Sequence, residues 1–192
     1  MRVLIVFGTT EGQTEKIAAF VADRLLAQGH DAVLVKAGVD AVSPDPKEFD
    51  AVLVAASLHA GRYQPAVIDF VRQHRAAIGA RRNAFLSVSL AAAGHDAEDR
   101  TGLEKCVVAF MGEGGWRPDR IHHAAGAFRY TEYDFFKRWA MKYIAYRKGA
   151  PTDTSRDYEL TDWEDLARFA DSFVSSALCG STRSRCSAAH SR

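Results

Sequence analysis

The chain has 192 residues, 47% hydrophobic and 26% charged, with a formal net charge of +1. That length suits one ordinary domain able to bury a sheet on both faces. The near-neutral balance excludes a basic field for nucleic acid and a long acidic docking tail.

The first element in chain order is a buried strand over 3–7 (Val3-Leu4-Ile5-Val6-Phe7). These few apolar residues are too short for a signal-peptide core, and no later run approaches the ~20 residues needed to span a bilayer. A loop, Gly8-Thr9-Thr10-Glu11-Gly12-Gln13-Thr14, leads into a helix whose Ile17, Val21 and Leu25 recur at helical spacing until Gly29 stops it. Strands follow at 32–36 and 51–56, and a helix bearing Val67, Phe70 and Val71 has Pro65 in its first turn. A strand over 84–90, a helix near 99–111 carrying Leu103, Val107 and Phe110, and a strand over 120–127 come next. The last helix opens on Thr161-Asp162-Trp163-Glu164, read as a capping box, and continues through Leu166, Phe169, Ala170 and Phe173. Strands alternating with helices, and apolar enough to be buried on both faces, predict an α/β fold with a doubly wound five-stranded parallel sheet, order 2-1-3-4-5. The small, polar stretch 179–192 reads as a disordered tail, leaving 1–178 as the folded domain. Cys106, Cys179 and Cys186 show no CxxC or metal-like spacing, so no metal site and a reduced, cytoplasmic setting are expected.

The 8–14 loop carries the chemistry. A strand, a hydroxyl- and glycine-rich turn and a helix N-terminus gather free backbone N–H groups at the positive end of a dipole, ready for a phosphate. Gln13 stands where a Walker loop needs lysine, and the dinucleotide pattern G-x-G-x-x-G is absent. What remains is a loop suited to a terminal phosphomonoester, held by Thr9, Thr10, Glu11, Gly12, Gln13 and Thr14 without metal, as flavodoxin-type proteins hold FMN. Taken alone, Thr10 or Thr14 would serve as a plain helix cap, but the loop's place directly after the first strand favours the phosphate. In an open α/β sheet the ligand lies beyond the strand carboxyl ends, where three loops meet. The second loop contributes Ser57, Leu58, His59, Gly61, Arg62 and Tyr63 as further cofactor-binding candidates, with Arg62 placed to offset negative charge on a reduced flavin. The third contributes Ser89, Leu90, Ala91, Ala92 and Gly94. Without a cofactor, His59 and Arg62 would read as an ordinary solvated loop.

Residues 129–149 exceed what such a fold needs before its last helix. At helical spacing Phe135, Phe136, Trp139, Ala140, Tyr143, Ile144 and Tyr146 share one half, and Lys137, Arg138, Lys142 and Lys148 the other. Two readings stand: an extra core helix on the sheet edge, or an amphipathic helix over 131–148 facing a membrane surface or an apolar substrate.

Several strings together resemble the long-chain flavodoxin-like, menaquinone-dependent protoporphyrinogen IX dehydrogenases. They are the 9–14 loop, Ala56-Ser57-Leu58-His59-Ala60-Gly61-Arg62-Tyr63, Trp116-Arg117-Pro118-Asp119-Arg120 and Ala125-Gly126-Ala127-Phe128-Arg129-Tyr130. Thr152-Asp153-Thr154 and Thr161-Asp162-Trp163-Glu164 complete the set. The resemblance covers roughly 1–178. It implies an FMN enzyme of haem biosynthesis that oxidises protoporphyrinogen IX in successive two-electron steps and passes the electrons to menaquinone or ubiquinone, peripheral on the inner face of the cell membrane. Arg129, Tyr130, Tyr133 and Trp139 would wall the substrate or quinone site, and no residue is assigned as catalytic acid or base. The chain departs from the pattern in its 179–192 tail and in Ser89–Asp96, which offers no aromatic to cover a flavin ring. An electron-carrier flavodoxin and an NAD(P)H-dependent quinone or FMN reductase are the rival readings.

Overall fold

In the computed structural model the described residues are 1–39, 44–93, 97–128 and 158–175. The proposed insert at 129–149 and the tail at 179–192 lie outside them. Five parallel strands, β1 (Arg2–Gly8), β2 (Asp31–Lys36), β3 (Ala51–Ser57), β4 (Arg82–Ser89) and β5 (Ile121–Ala125), form one sheet in the order β2-β1-β3-β4-β5. The expected topology is the one observed. The helices are α1 (Gln13–Ala27), α2 (Pro65–Gly79), α3 (Ala97–Gly114) and α4 (Trp163–Ser175).

Because side chains alternate along a strand, β1 feeds two cores. Val3, Ile5 and Phe7 meet Ile17, Val21 and Leu25 of α1 and Leu166, Phe169 and Phe173 of α4. Leu4 and Val6 face the opposite layer, with Val67, Phe70 and Val71 of α2 and Val107 and Phe110 of α3. In that second layer Phe85 stacks on Phe110 at 4.3 Å between ring centres, and Tyr63 packs edge-on against both. Such aromatic pairs add to the burial of their area.

The structure corrects three details. Burial on both faces holds for β1, β3 and β4, but β2 and β5 are sheet edges, leaving Leu34 37% and Ile121 41% exposed. The fifth strand, expected over 120–127, ends at Ala125. There Gly126 N–H still bonds Ser89 O (3.0 Å), while its own carbonyl accepts from Leu160 N (3.0 Å). The chain thereby leaves the sheet for a separate antiparallel ribbon of β6 (Ala127–Phe128) and β7 (Tyr158–Glu159). Thirdly, the last helix is capped by Asp162, whose Oδ1 accepts from Asp165 N at 2.9 Å. Thr161 is occupied elsewhere, donating to Ala125 O at 2.8 Å and accepting from Gln13.

The Trp116–Arg120 string does structural work at the end of the sheet where β4 begins. Trp116 is 5% exposed and edge-on to Phe85 and Phe110. Asp119 exchanges hydrogen bonds with buried Asn83, accepting from Nδ2 (2.9 Å) and donating its backbone N–H to Oδ1 (2.9 Å).

Candidate functional site

β1 runs into the first loop through Gly8, which lies against α2. A Cβ there would sit 2.5 Å from Val67 Cγ2, so only glycine fits without displacement. Thr9 Oγ1 then accepts from Gly12 N at 2.9 Å, closing the turn. Gly12 takes a left-handed conformation (φ 83°) that favours glycine, and it is the N-cap of α1 with no side-chain cap bond. The first amides of this helix are therefore left to solvent or a ligand. One residue into the helix, Thr14 is fully buried, yet among the described residues its Oγ1 has no hydrogen-bond partner. Buried polar atoms of this kind are rare and call for a reason. An uncapped helix N-terminus with an unpartnered hydroxyl beside it suits a phosphate monoester.

The side chain of Gln13 turns away from this anion site. Its Nε2 donates to Glu159 Oε1 (2.8 Å) and Thr161 Oγ1 (2.9 Å), and Lys16 pairs with Glu159 at 2.8 Å. These bonds fasten the ribbon to the start of α1.

The second loop is a tight hairpin. His59 and Arg62 exchange both backbone hydrogen bonds (2.8 and 2.9 Å) around Ala60 (φ 47°) and Gly61 (φ 78°). Two positive φ values in a two-residue turn define a type I′ geometry, which needs glycine at Gly61 and leaves Ala60 strained. His59 Nε2 lies 3.2 Å from Glu11 Oε1, bridging this hairpin to the first loop. The third loop is a single 3-10 turn, Ala91–Ala93, in which Ser89 Oγ accepts from Ala92 N at 3.1 Å.

One cleft of about 870 Å³, counting its open mouth, lies among these loops. Thr9, Thr10, Glu11, Gln13 and Thr14 line it from the first loop, Ser57, Leu58, His59 and Gly61 from the second, and Ser89, Leu90 and Ala91 from the third. Gly12, Arg62 and Ala92 adjoin the cleft without lining it, and Arg62 is exposed. Tyr63 points into the core instead: 4% exposed, it bonds Ser87 Oγ at 2.8 Å, and burial pushes its phenol up to about 12. Its place after the hairpin turns it towards Phe85, so it presents no ring to a ligand. Gly94, Arg129, Tyr130, Tyr133 and Trp139 lie outside the described residues.

The sequence reading missed Ala60, Val88, Gly126 and Ala127, which also line the cleft. It missed Gln64 too, whose amide spans the first and second loops. Gly126 and Ala127 follow a strand expected to continue, so nothing in their spacing marks them. Gln64 does carry a signal, since it occupies the residue before Pro65 where a capping Ser, Thr, Asp or Asn is usual. Among the described residues no cluster of His, Cys, Asp or Glu is arranged to hold a metal, and no helix is long and apolar enough to cross a membrane.

A flavodoxin-domain family model matches residues 4–155. Protoporphyrinogen IX dehydrogenase (quinone) of Escherichia coli K12 is 36% identical over 172 residues, covering 88% of this chain and 93% of that protein. The chain is a flavodoxin-domain protein of the protoporphyrinogen IX dehydrogenase family. As such it is an FMN flavoprotein and an oxidoreductase. The protein of the same name from Leishmania major is 31% identical, covering 92% of this chain and 76% of that one. Oxidised flavodoxin 1 of Bacillus cereus shares the fold at a TM-score of 0.52 and 13% identity, covering 91% of this chain and 97% of that one.

Proposed function

We propose that the protein oxidises protoporphyrinogen IX to protoporphyrin IX and passes the electrons to a membrane quinone, menaquinone or ubiquinone. The observation carrying the cofactor half is the unpartnered Thr14 Oγ1 at the uncapped start of α1. Thr9, Thr10, Glu11, Gly12, Gln13 and Thr14 form the phosphate end in this reading, with the Thr10 and Thr14 hydroxyls and the first amides of α1 donating to the anion. Leu58, Leu90 and Ala91 supply apolar walls beside the ring, and His59 and Gly61 its edge, while Ser57, tied to Thr10 through Gln64, lies towards the phosphate end. Ser89 holds Ala92 in the turn behind them. Arg62, exposed on the hairpin, offsets negative charge at long range. The chemistry FMN supplies is acceptance of two electrons from a donor and their release to an acceptor.

The substrate half is supported by the 36% identity to proteins of that name and by the shape of the cleft. No aromatic side chain lines it among the described residues, which leaves a broad apolar face open to a flat macrocycle. The ribbon borders the cleft, since Ala127 is both a ribbon and a cleft residue, and 129–157 is the stretch of sequence between its two strands. We therefore place Arg129, Tyr130, Tyr133 and Trp139 at the donor or quinone, where arginine pairs carboxylates and aromatic area buries the ring. Residues 131–148 then face the membrane surface. Complementation of a strain lacking its own protoporphyrinogen oxidase tests the reading: growth without added haem is expected. No rescue by a well-expressed, FMN-loaded protein contradicts it.

A further inference from the structure

Gln64 is the N-cap residue of α2, but its side chain makes no capping bond to that helix. It reaches back across the cleft wall instead. Oε1 accepts from Ser57 N at 3.1 Å, while Nε2 donates to Thr10 Oγ1 at 3.1 Å and also to Ser57 Oγ. A backbone N–H can only donate, so the bond from Ser57 N settles which end of the amide is oxygen. Both amide hydrogens therefore go to hydroxyls. Each hydroxyl has a single hydrogen, and with a lone pair occupied by Gln64 that hydrogen is left to donate elsewhere. Thr10 and Ser57 both line the cleft, and neither hydroxyl has a second partner among the described residues. Gly8 leaves room for this arrangement, because a Cβ there would sit 3.1 Å from Gln64 Oε1.

We propose that Gln64 is a positioning residue that aims the hydroxyl hydrogens of Thr10 and Ser57 into the cleft, making a donor pair for an anionic ligand group. The inference rests on the reading of the first loop as the FMN phosphate site and adds the residue that sets its polarity. Pre-oriented donors need no rearrangement when the anion arrives, and each bond to a charged group is stronger than a neutral one. Gln64→Glu reverses the device. The carboxylate still accepts from Ser57 N, but with no N–H to offer it takes the hydrogens of both hydroxyls for itself.

The test is a double-mutant cycle between Gln64→Glu and Thr10→Ala, read as FMN and riboflavin affinity by fluorescence quenching of flavin-free protein. A cycle removes the general repulsion of the added charge, because that repulsion does not depend on Thr10. Thr10→Ala should weaken FMN about tenfold in the wild type, the loss of one bond to a charged group. In the Gln64→Glu background the same change should cost less than about twofold. Riboflavin, which lacks the phosphate, should respond to neither. Gln64→Met removes the donors without adding charge and should shrink the cost of Thr10→Ala in the same direction, so a poorly folding Gln64→Glu does not end the test. Costs that multiply independently, or riboflavin affinity falling in step with FMN, overturn the role of Gln64. A wild type that binds both flavins alike overturns the phosphate reading and this inference with it.

Discussion

Thr14 is under opposite demands in the free and loaded protein. Its buried hydroxyl has no partner among the described residues, which costs free energy that a methyl group in its place would not. Thr14→Val should therefore stabilise the flavin-free protein by about 1 kcal/mol, raising its Tm by roughly 2–4 °C. The same change should weaken FMN by about 1.5–3 kcal/mol, the value of a bond to a charged group. Calorimetry of the flavin-free protein and a binding titration read the two signs separately; a loss of stability in both states would mean that Thr14 is an ordinary core residue. Gly8→Ala forces a Cβ to within 2.5 Å of Val67 Cγ2 and should cost about 1–3 kcal/mol in urea unfolding.

At the scale of elements, the ends of the chain segments decide more than their middles. Asp162, not Thr161, caps α4, so Asp162→Ala should lower stability by about 1 kcal/mol in urea unfolding, whereas Thr161→Ala should instead loosen the link to Ala125 and Gln13. His122 on β5 stacks on Phe169 at 4.5 Å and lies 3.4 Å from Asp165. Burial lowers its pKa below 6.5, an effect that Asp165 partly offsets, and burial lowers that of neighbouring His123 as well. A histidine kept neutral by the fold binds its proton more readily when unfolded. Its contribution is thus complete above about 6.5 and declines as the pH falls from there towards the lower native value. Unfolding free energy should decrease between pH 7.5 and 5.5, and His122→Phe, which keeps the ring stack, should flatten that slope. An unchanged slope would exclude His122 as its source. The periodicity of Ile17, Val21 and Leu25 and the apolar strands made the sheet legible, because both patterns record burial directly. The cap on Asp162, the break at Gly126 and the inward turn of Tyr63 were not legible. Each depends on a partner distant in the chain: Ala125 for Thr161, Leu160 for Gly126 and Ser87 for Tyr63. In the cleft the first loop could be read from its own residues, whereas Gln64 acts only through Thr10 and Ser57, and those contacts exist only once the sheet has formed.

For the whole molecule, the ribbon whose strands flank 129–157 in sequence contributes Ala127 to the cofactor cleft. Gln13, Lys16 and Glu159 fix the ribbon to α1, so the core should stand without help from the segment's own chemistry. Replacing Lys137, Arg138 and Lys142 by Glu should accordingly weaken binding to anionic vesicles by about 1 kcal/mol per residue while FMN affinity is kept. Sedimentation with vesicles checks this, and loss of FMN together with the fold would return 129–149 to the core-helix reading. In the proposed cycle electrons enter from a porphyrinogen and leave to a quinone. Anaerobic mixing of the FMN-loaded protein with protoporphyrinogen IX, followed by a quinone, tests it most directly through the flavin absorbance. Bleaching by the porphyrinogen, recovery on adding the quinone and only slow bleaching by NADPH are expected. Fast reduction by NADPH with no response to the porphyrinogen would contradict it.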